Sequence, residues 1–218
     1  MIGNNTHTRF GYGRPGFTFM EMIVVVTIFS ILIMATSDIF MRAQRTQRKT
    51  AALQRLQDDA RFLMQKVTSE LQAGSIDYAD VVYTNAQSCD AEAPSAIKPV
   101  DGNSILALRR FDGSHLYIKK ETTPGVCVNE ESTPCLAMSD DNSIWSSASS
   151  KGVTIESLVF YISPDKDPFL FCDQTASYIR DAQPRVTISL KASATVKGLR
   201  DAAKLSIQTT ISSREYKR

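Results

Sequence analysis

Hydrophobic residues change their rhythm twice along this chain. Across residues 17–36 they are nearly continuous: eleven are Val, Ile, Leu or Phe and three are Met, interrupted by Thr18, Glu21, Thr27, Ser30, Ala35 and Thr36. Twenty such residues, coiled as a helix, match the roughly 30 Å hydrocarbon layer of a bilayer. Their transfer contributes about −3 to −7 kcal/mol against about +3 kcal/mol for a carboxylate at mid-bilayer, so the run is expected to insert despite Glu21.

Further on, Leu53, Leu56, Ala60, Leu63, Met64, Val67 and Leu71 recur at three- and four-residue intervals, with Arg55, Asp58, Arg61 and Glu70 between them. That spacing gathers the apolar residues on one helix face and the charges on the other. Neither Gly nor Pro occurs between Gly16 and Gly74. A single helix from about residue 17 to about residue 73 is predicted, roughly 85 Å long at 1.5 Å per residue. Its first half is apolar all round and its second half is one-sided.

Beyond Gly74 the rhythm becomes alternating. Val186, Ile188, Leu190, Ala192, Ala194 and Val196 occupy every second position, and Leu205, Ile207 and Ile211 alternate in the same way within their own segment. Such segments predict half-buried antiparallel strands. Val153 and Ile155, then Leu158, Phe160 and Ile162, alternate with a one-residue slip that predicts a bulge. Residues 104–111 and 115–120 flank Asp112-Gly113, a hairpin turn signal. The predicted fold class is therefore α+β: a long N-terminal helix, transmembrane then amphipathic, packed on an antiparallel β-sheet. Residues 84–103 and 122–150, rich in Ser, Asp, Asn and Pro, are expected to be long loops. Trp145 lies in the second, where a buried loop anchor is the expected role.

Glu21 belongs to the stretch Gly16-Phe17-Thr18-Phe19-Met20-Glu21-Met22-Ile23-Val24-Val25-Val26. Three readings of the N-terminus compete. One is a secretory signal peptide cut near Ala35-Thr36-Ser37. Another is a plain membrane anchor. In the third, a short polar leader bearing Arg9 and Arg14 ends in Gly16, and Phe-Thr-x-x-Glu opens an unbroken apolar helix. This arrangement resembles the cleavage and methylation motif of type IV prepilins and type II secretion pseudopilins. Pro15 stands before Gly16 where that family usually has a basic residue, and Asp38 stands where many major pilins have a helix-kinking proline.

The resemblance implies a pilin-like fold in four parts: residues 1–16 a cleaved leader, 17–36 the transmembrane and filament-core half of the helix, 37–74 its amphipathic half, and 75–218 an extracytoplasmic, disulfide-bonded, β-rich domain. It implies that a prepilin peptidase cuts between Gly16 and Phe17 and methylates the new amine of Phe17. Glu21 would then meet the N-terminal amine of a neighbouring subunit during assembly. The remaining chain of roughly 200 residues is larger than a typical major subunit. It resembles minor pilins or minor pseudopilins that initiate or cap a type IV pilus or a type II secretion pseudopilus. A tip binding module for adhesion, DNA uptake or secretion-substrate contact, and a simple membrane-tethered exported domain, are the alternatives. Implied partners are the prepilin peptidase, other minor and major subunits, inner-membrane lipid and the inner-membrane assembly platform.

Charge and cysteine usage refine the topology. The net charge is +2, yet residues 75–218 carry sixteen basic and eighteen acidic groups, which gives no electrostatic footprint for nucleic acid. All four cysteines, Cys89, Cys127, Cys135 and Cys172, lie in that region without a Cys-x-x-Cys pair, a pattern that fits two disulfides better than zinc. Cys127–Cys135 and Cys89–Cys172 are the favoured pairings. Arg42, Arg45, Arg48 and Lys49 outnumber Arg9 and Arg14, so charge bias alone would direct the C-terminus inward. An oxidising compartment for the cysteines argues the reverse: a single-pass protein of the inner membrane with its C-terminal domain periplasmic or extracellular, later carried in the filament.

Candidate chemistry is sparse. No phosphate-binding glycine loop occurs, and two histidines at positions 7 and 115 do not suggest a metal site or triad. Residues 139–142 and 165–167 lack the spacing of a calcium loop and are expected to be solvated turns. The reading is of a structural protein, with no catalytic residue, cofactor or metal.

Overall fold

The computed structural model describes residues 16–88, 94–127, 134–170, 183–195 and 202–213. The chain forms two compact units divided after Thr46. One continuous helix, α1 (Phe19–Gln72), supplies residues to both. In the first unit it is long and apolar enough to cross a membrane, and none of that apolar window is buried.

In the second unit the predicted apolar stripe is the buried one: Leu56, Ala60, Leu63, Met64, Val67 and Leu71 all enter the core. Each buried leucine contributes about 2 kcal/mol from apolar area removed from water. The partners are two antiparallel sheets rather than one. The first contains β1 (Gly74–Ile76), β2 (Ile105–Arg110), β3 (His115–Glu121), β4 (Cys135–Ser139) and β5 (Ser146–Ser147), paired in that order. The second contains β6 (Val153–Ser163), β7 (Arg185–Ala194) and β8 (Ala203–Ser212), again paired in order.

The expected bulge lies in β6, where its register against β7 shifts between Ile155 and Ser157. The extra residue resets the phase, so that Val153 and Ile155 before it and Leu158, Phe160 and Ile162 after it all face the core. The β2–β3 hairpin closes through residues 111–114: Gly113 has φ +86°, and Asp112 Oδ1 accepts from the amide and hydroxyl of Ser114. Between the sheets, Asn103 bridges to Phe160, with amide–carbonyl distances of 2.7 and 2.9 Å. Gly102 makes that approach possible, since a Cβ there would stand 2.1 Å from Val159 Cγ1.

One expected loop is not a loop throughout. Residues 122–150 include β4, all five of whose residues are buried, and the short β5. Composition hid them because β4, Cys-Leu-Ala-Met-Ser, is brief and has no alternation: it lies between β3 and β5 with both faces covered. The Cys127–Cys135 disulfide forms at its start, as expected. Cys89 and Cys172 lie outside the described residues. Trp145 is half-buried, packs against the core, and carries Lys119 Nζ 3.9 Å above its ring.

Candidate functional site

The N-terminal segment is built by local rules. Residues 16–18 are non-helical and exposed, and α1 starts at Phe19. Thr18 occupies the N-cap: its carbonyl accepts from the Met22 amide at 3.2 Å, and its hydroxyl accepts from the Glu21 amide at 3.3 Å. Thr-x-x-Glu is the composition of a capping box, which satisfies amides that have no partner inside the helix. Glu21 thus lies in the first turn, where the positive end of the helix dipole favours a carboxylate. A Cβ built on Gly16 meets no atom within 4 Å, so among the described residues nothing in the fold requires glycine there.

The other polar side chains of the apolar run are satisfied internally. Thr27 donates to Val24 O and Ser30 to Val26 O, each at 2.8 Å. Thr36 donates to Leu32 O at 2.8 Å, and Ser37 to Ile33 O at 2.7 Å. A hydroxyl that returns its hydrogen to the preceding turn needs no water. Asp38 pairs with Arg42 at 3.0 Å. Glu21 differs from all of these: among the described residues its carboxylate has neither a hydrogen bond nor an ion pair. Phe17, Phe19 and Met20 beside it are 71–81% exposed.

A family model for the prokaryotic N-terminal methylation motif matches residues 13–37. An apolar first helix followed by antiparallel sheets, opening on that motif, is consistent with an α+β pilin-like fold. The chain carries the prepilin motif, which supports its place among type IV pilins and pseudopilins. That motif implies processing by a prepilin peptidase and assembly with other pilin subunits. It points to a structural subunit rather than an enzyme. With the apolar helix, it fits membrane anchoring and incorporation into a pilus. Comparison with curated proteins gave no match, and comparison with solved structures gave none either.

Two polar clusters in the globular unit escaped the sequence reading. Tyr83, at the end of a 3-10 turn (Val81–Tyr83), places its hydroxyl against β2, accepting from Ala107 N at 2.8 Å and donating to Ile105 O at 3.4 Å. That hydroxyl occupies the hydrogen-bonding edge of β2 where β1 has ended. Burial raises the Tyr83 pKa, and the nearby charges of Asp80 and Asp77 raise it further. The second cluster joins Asp77, Asp80 and His115. A stretch lacking a spacing motif gave no advance sign of either. By contrast, Asp141 behaves as the turn expected of it, its carboxylate taken up by the amides of Ser143 and Ile144 and the hydroxyls of Ser139 and Ser143.

Proposed function

We propose that this chain is a minor pilin or minor pseudopilin, a structural subunit that helps to initiate or cap a type IV pilus or a type II secretion pseudopilus. The observation that carries the reading is the solitary carboxylate of Glu21 in an apolar, exposed helical run where the hydroxyls of Thr27, Ser30, Thr36 and Ser37 bond inward. A lone charge in lipid costs about 3 kcal/mol. An amine about 4 Å away, at an effective dielectric near 20, returns roughly 4 kcal/mol. Cleavage between Gly16 and Phe17 generates such an amine on every subunit. Glu21 and the Phe17 amine of a neighbour then define one axial stagger at which both charges are satisfied, and assembly proceeds in that register.

The same reading places the globular unit outside the inner membrane. The Cys127–Cys135 disulfide supports an oxidising side for that unit against the charge bias of Arg42, Arg45, Arg48 and Lys49. Intact mass of the chain recovered from membranes tests the proposal. The expected product begins at Phe17 and carries one added methyl group. A product beginning near Ser37 or Asp38 would instead identify a secretory signal peptide, and an uncut chain would identify a plain anchor.

A further inference from the structure

We propose that Asp77, Asp80 and His115 form a binding site for a divalent transition-metal ion of the zinc class. The three side chains come from separate local structures. Asp77 immediately follows β1, its amide donating to Ala107 O at 3.1 Å. Asp80 caps the 3-10 turn, its Oδ1 accepting from Val82 N at 2.9 Å. His115 opens β3, beside the hairpin turn. One ligand atom from each lies within 4.8 Å of the others.

Asp77, the buried member of the cluster, calls for a positively charged partner. Asp77 is 5% exposed, and its Oδ1 accepts from Ala79 N at 3.2 Å. Its Oδ2 is sealed from solvent and accepts no hydrogen bond, although His115 Nδ1 stands 2.8 Å away. Among the described residues no Lys or Arg pairs with Asp77 or Asp80. Two carboxylates therefore face a single imidazole, and a buried carboxylate without full compensation is unfavourable.

A cation between them accepts the Nδ1 lone pair of neutral His115 and one oxygen from each carboxylate. One nitrogen and two oxygens suit four-coordinate zinc, with a water in the last position on the side where His115 is half-exposed. Calcium and magnesium prefer oxygen-only sets, so the imidazole argues for the softer ion. The surroundings hold the donors in place. Tyr117 donates its hydroxyl to Asp80 Oδ2, and its ring lies 13° from parallel with that of His115 at 6.3 Å. Backbone amides fix the other oxygen of each carboxylate, as outer partners do around metal ligands.

The test uses the full chain in detergent micelles, stripped with chelator, dialysed against zinc(II) and analysed for bound metal. His115→Gln and Asp80→Asn variants are carried in parallel, with circular dichroism to confirm folding. The expected result is one zinc per parent chain, at least tenfold weaker uptake in His115→Gln, and a zinc-dependent rise in Tm confined to the parent. His7 is common to all three proteins, so uptake through it cancels in the comparison. Equal zinc uptake by parent and His115→Gln would overturn the proposal. So would no uptake, or binding of calcium in place of zinc, each leaving His115 as a simple ion-pair partner of Asp77.

Discussion

The hydroxyl of Thr18 accepts the amide hydrogen of Glu21 at 3.3 Å, which ties the two polar residues of the N-terminal motif to one helix cap. The threonine of Phe-Thr-x-x-Glu thus has a structural duty of its own: it sets where α1 begins and so fixes Glu21 in the first turn. Thr18→Ala is expected to weaken the cap by about 1 kcal/mol. Hydrogen exchange at the Glu21 and Met22 amides in micelles should then quicken roughly fivefold, while Thr18→Ser stays near the parent. Unchanged protection in Thr18→Ala would mean the cap contributes nothing.

Glu21→Gln and Glu21→Ala are expected to leave cleavage after Gly16 intact and to abolish recovery of the chain with other filament subunits. Removing the charge lowers the cost of insertion by about 3 kcal/mol, so both variants should remain in the membrane fraction. Co-purification with the major subunit is the measurement. Incorporation equal to the parent would refute the register mechanism while leaving the processing reading untouched.

Arg110 binds α1 to the first sheet. Its Nε meets Glu70 Oε2 and another guanidinium nitrogen meets Asp140 Oδ1, both at 3.0 Å, with only 28% of its side chain exposed. The hydrogen bond that Arg110 donates to Glu70 leads the causes that raise its pKa. Lysine cannot present two nitrogens in this fixed fork. Arg110→Lys should destabilise the globular unit by about 1–2 kcal/mol, read as a lower Tm, and Arg110→Ala by more. A Tm unchanged in both would show these pairs to be surface ornaments of the kind that contribute little.

Glu121 confers an acid-side limit. The ammonium of Lys119, 2.9 Å from Oε2, holds its pKa down to about 2, aided by the hydroxyl and amide of Thr123 and the amide of Thr122 on Oε1. Because the folded pKa lies below the ordinary value of 4.5, this contribution is fully present above pH 4.5 and disappears as pH falls toward 2. Denaturant unfolding at steps between pH 5 and pH 2 should show a shallower acid loss in Glu121→Gln than in the parent. Parallel curves would exclude Glu121 as a source of the acid dependence.

Much of the fold was legible because its signals are local. The three- and four-residue spacing from Leu53 to Leu71 identified the buried face of α1, and Asp112-Gly113 identified a turn that Gly113 completes with positive φ. The slip between Ile155 and Leu158 identified the β6 bulge. β4 was not legible, since its five buried residues have no alternation to display. Nor was the separation into two sheets, because alternation tells which residues face inward but not which strand lies beside which.

Along the chain, consecutive residues by themselves determined the membrane-length apolar helix, its cap at Thr18, the isolated Glu21 and the matched motif over residues 13–37. These depend on hydrophobic transfer and on hydrogen bonds spanning three or four residues. Only the tertiary structure decided that Tyr83 would complete the edge of β2, that Arg110 would reach Glu70, and that Asp77 and Asp80 would converge on His115. Those contacts join residues far apart in sequence, and they form because burying the face of α1 against both sheets brings their backbones together. A one-dimensional pattern carries the driving force for that burial but not the geometry it produces.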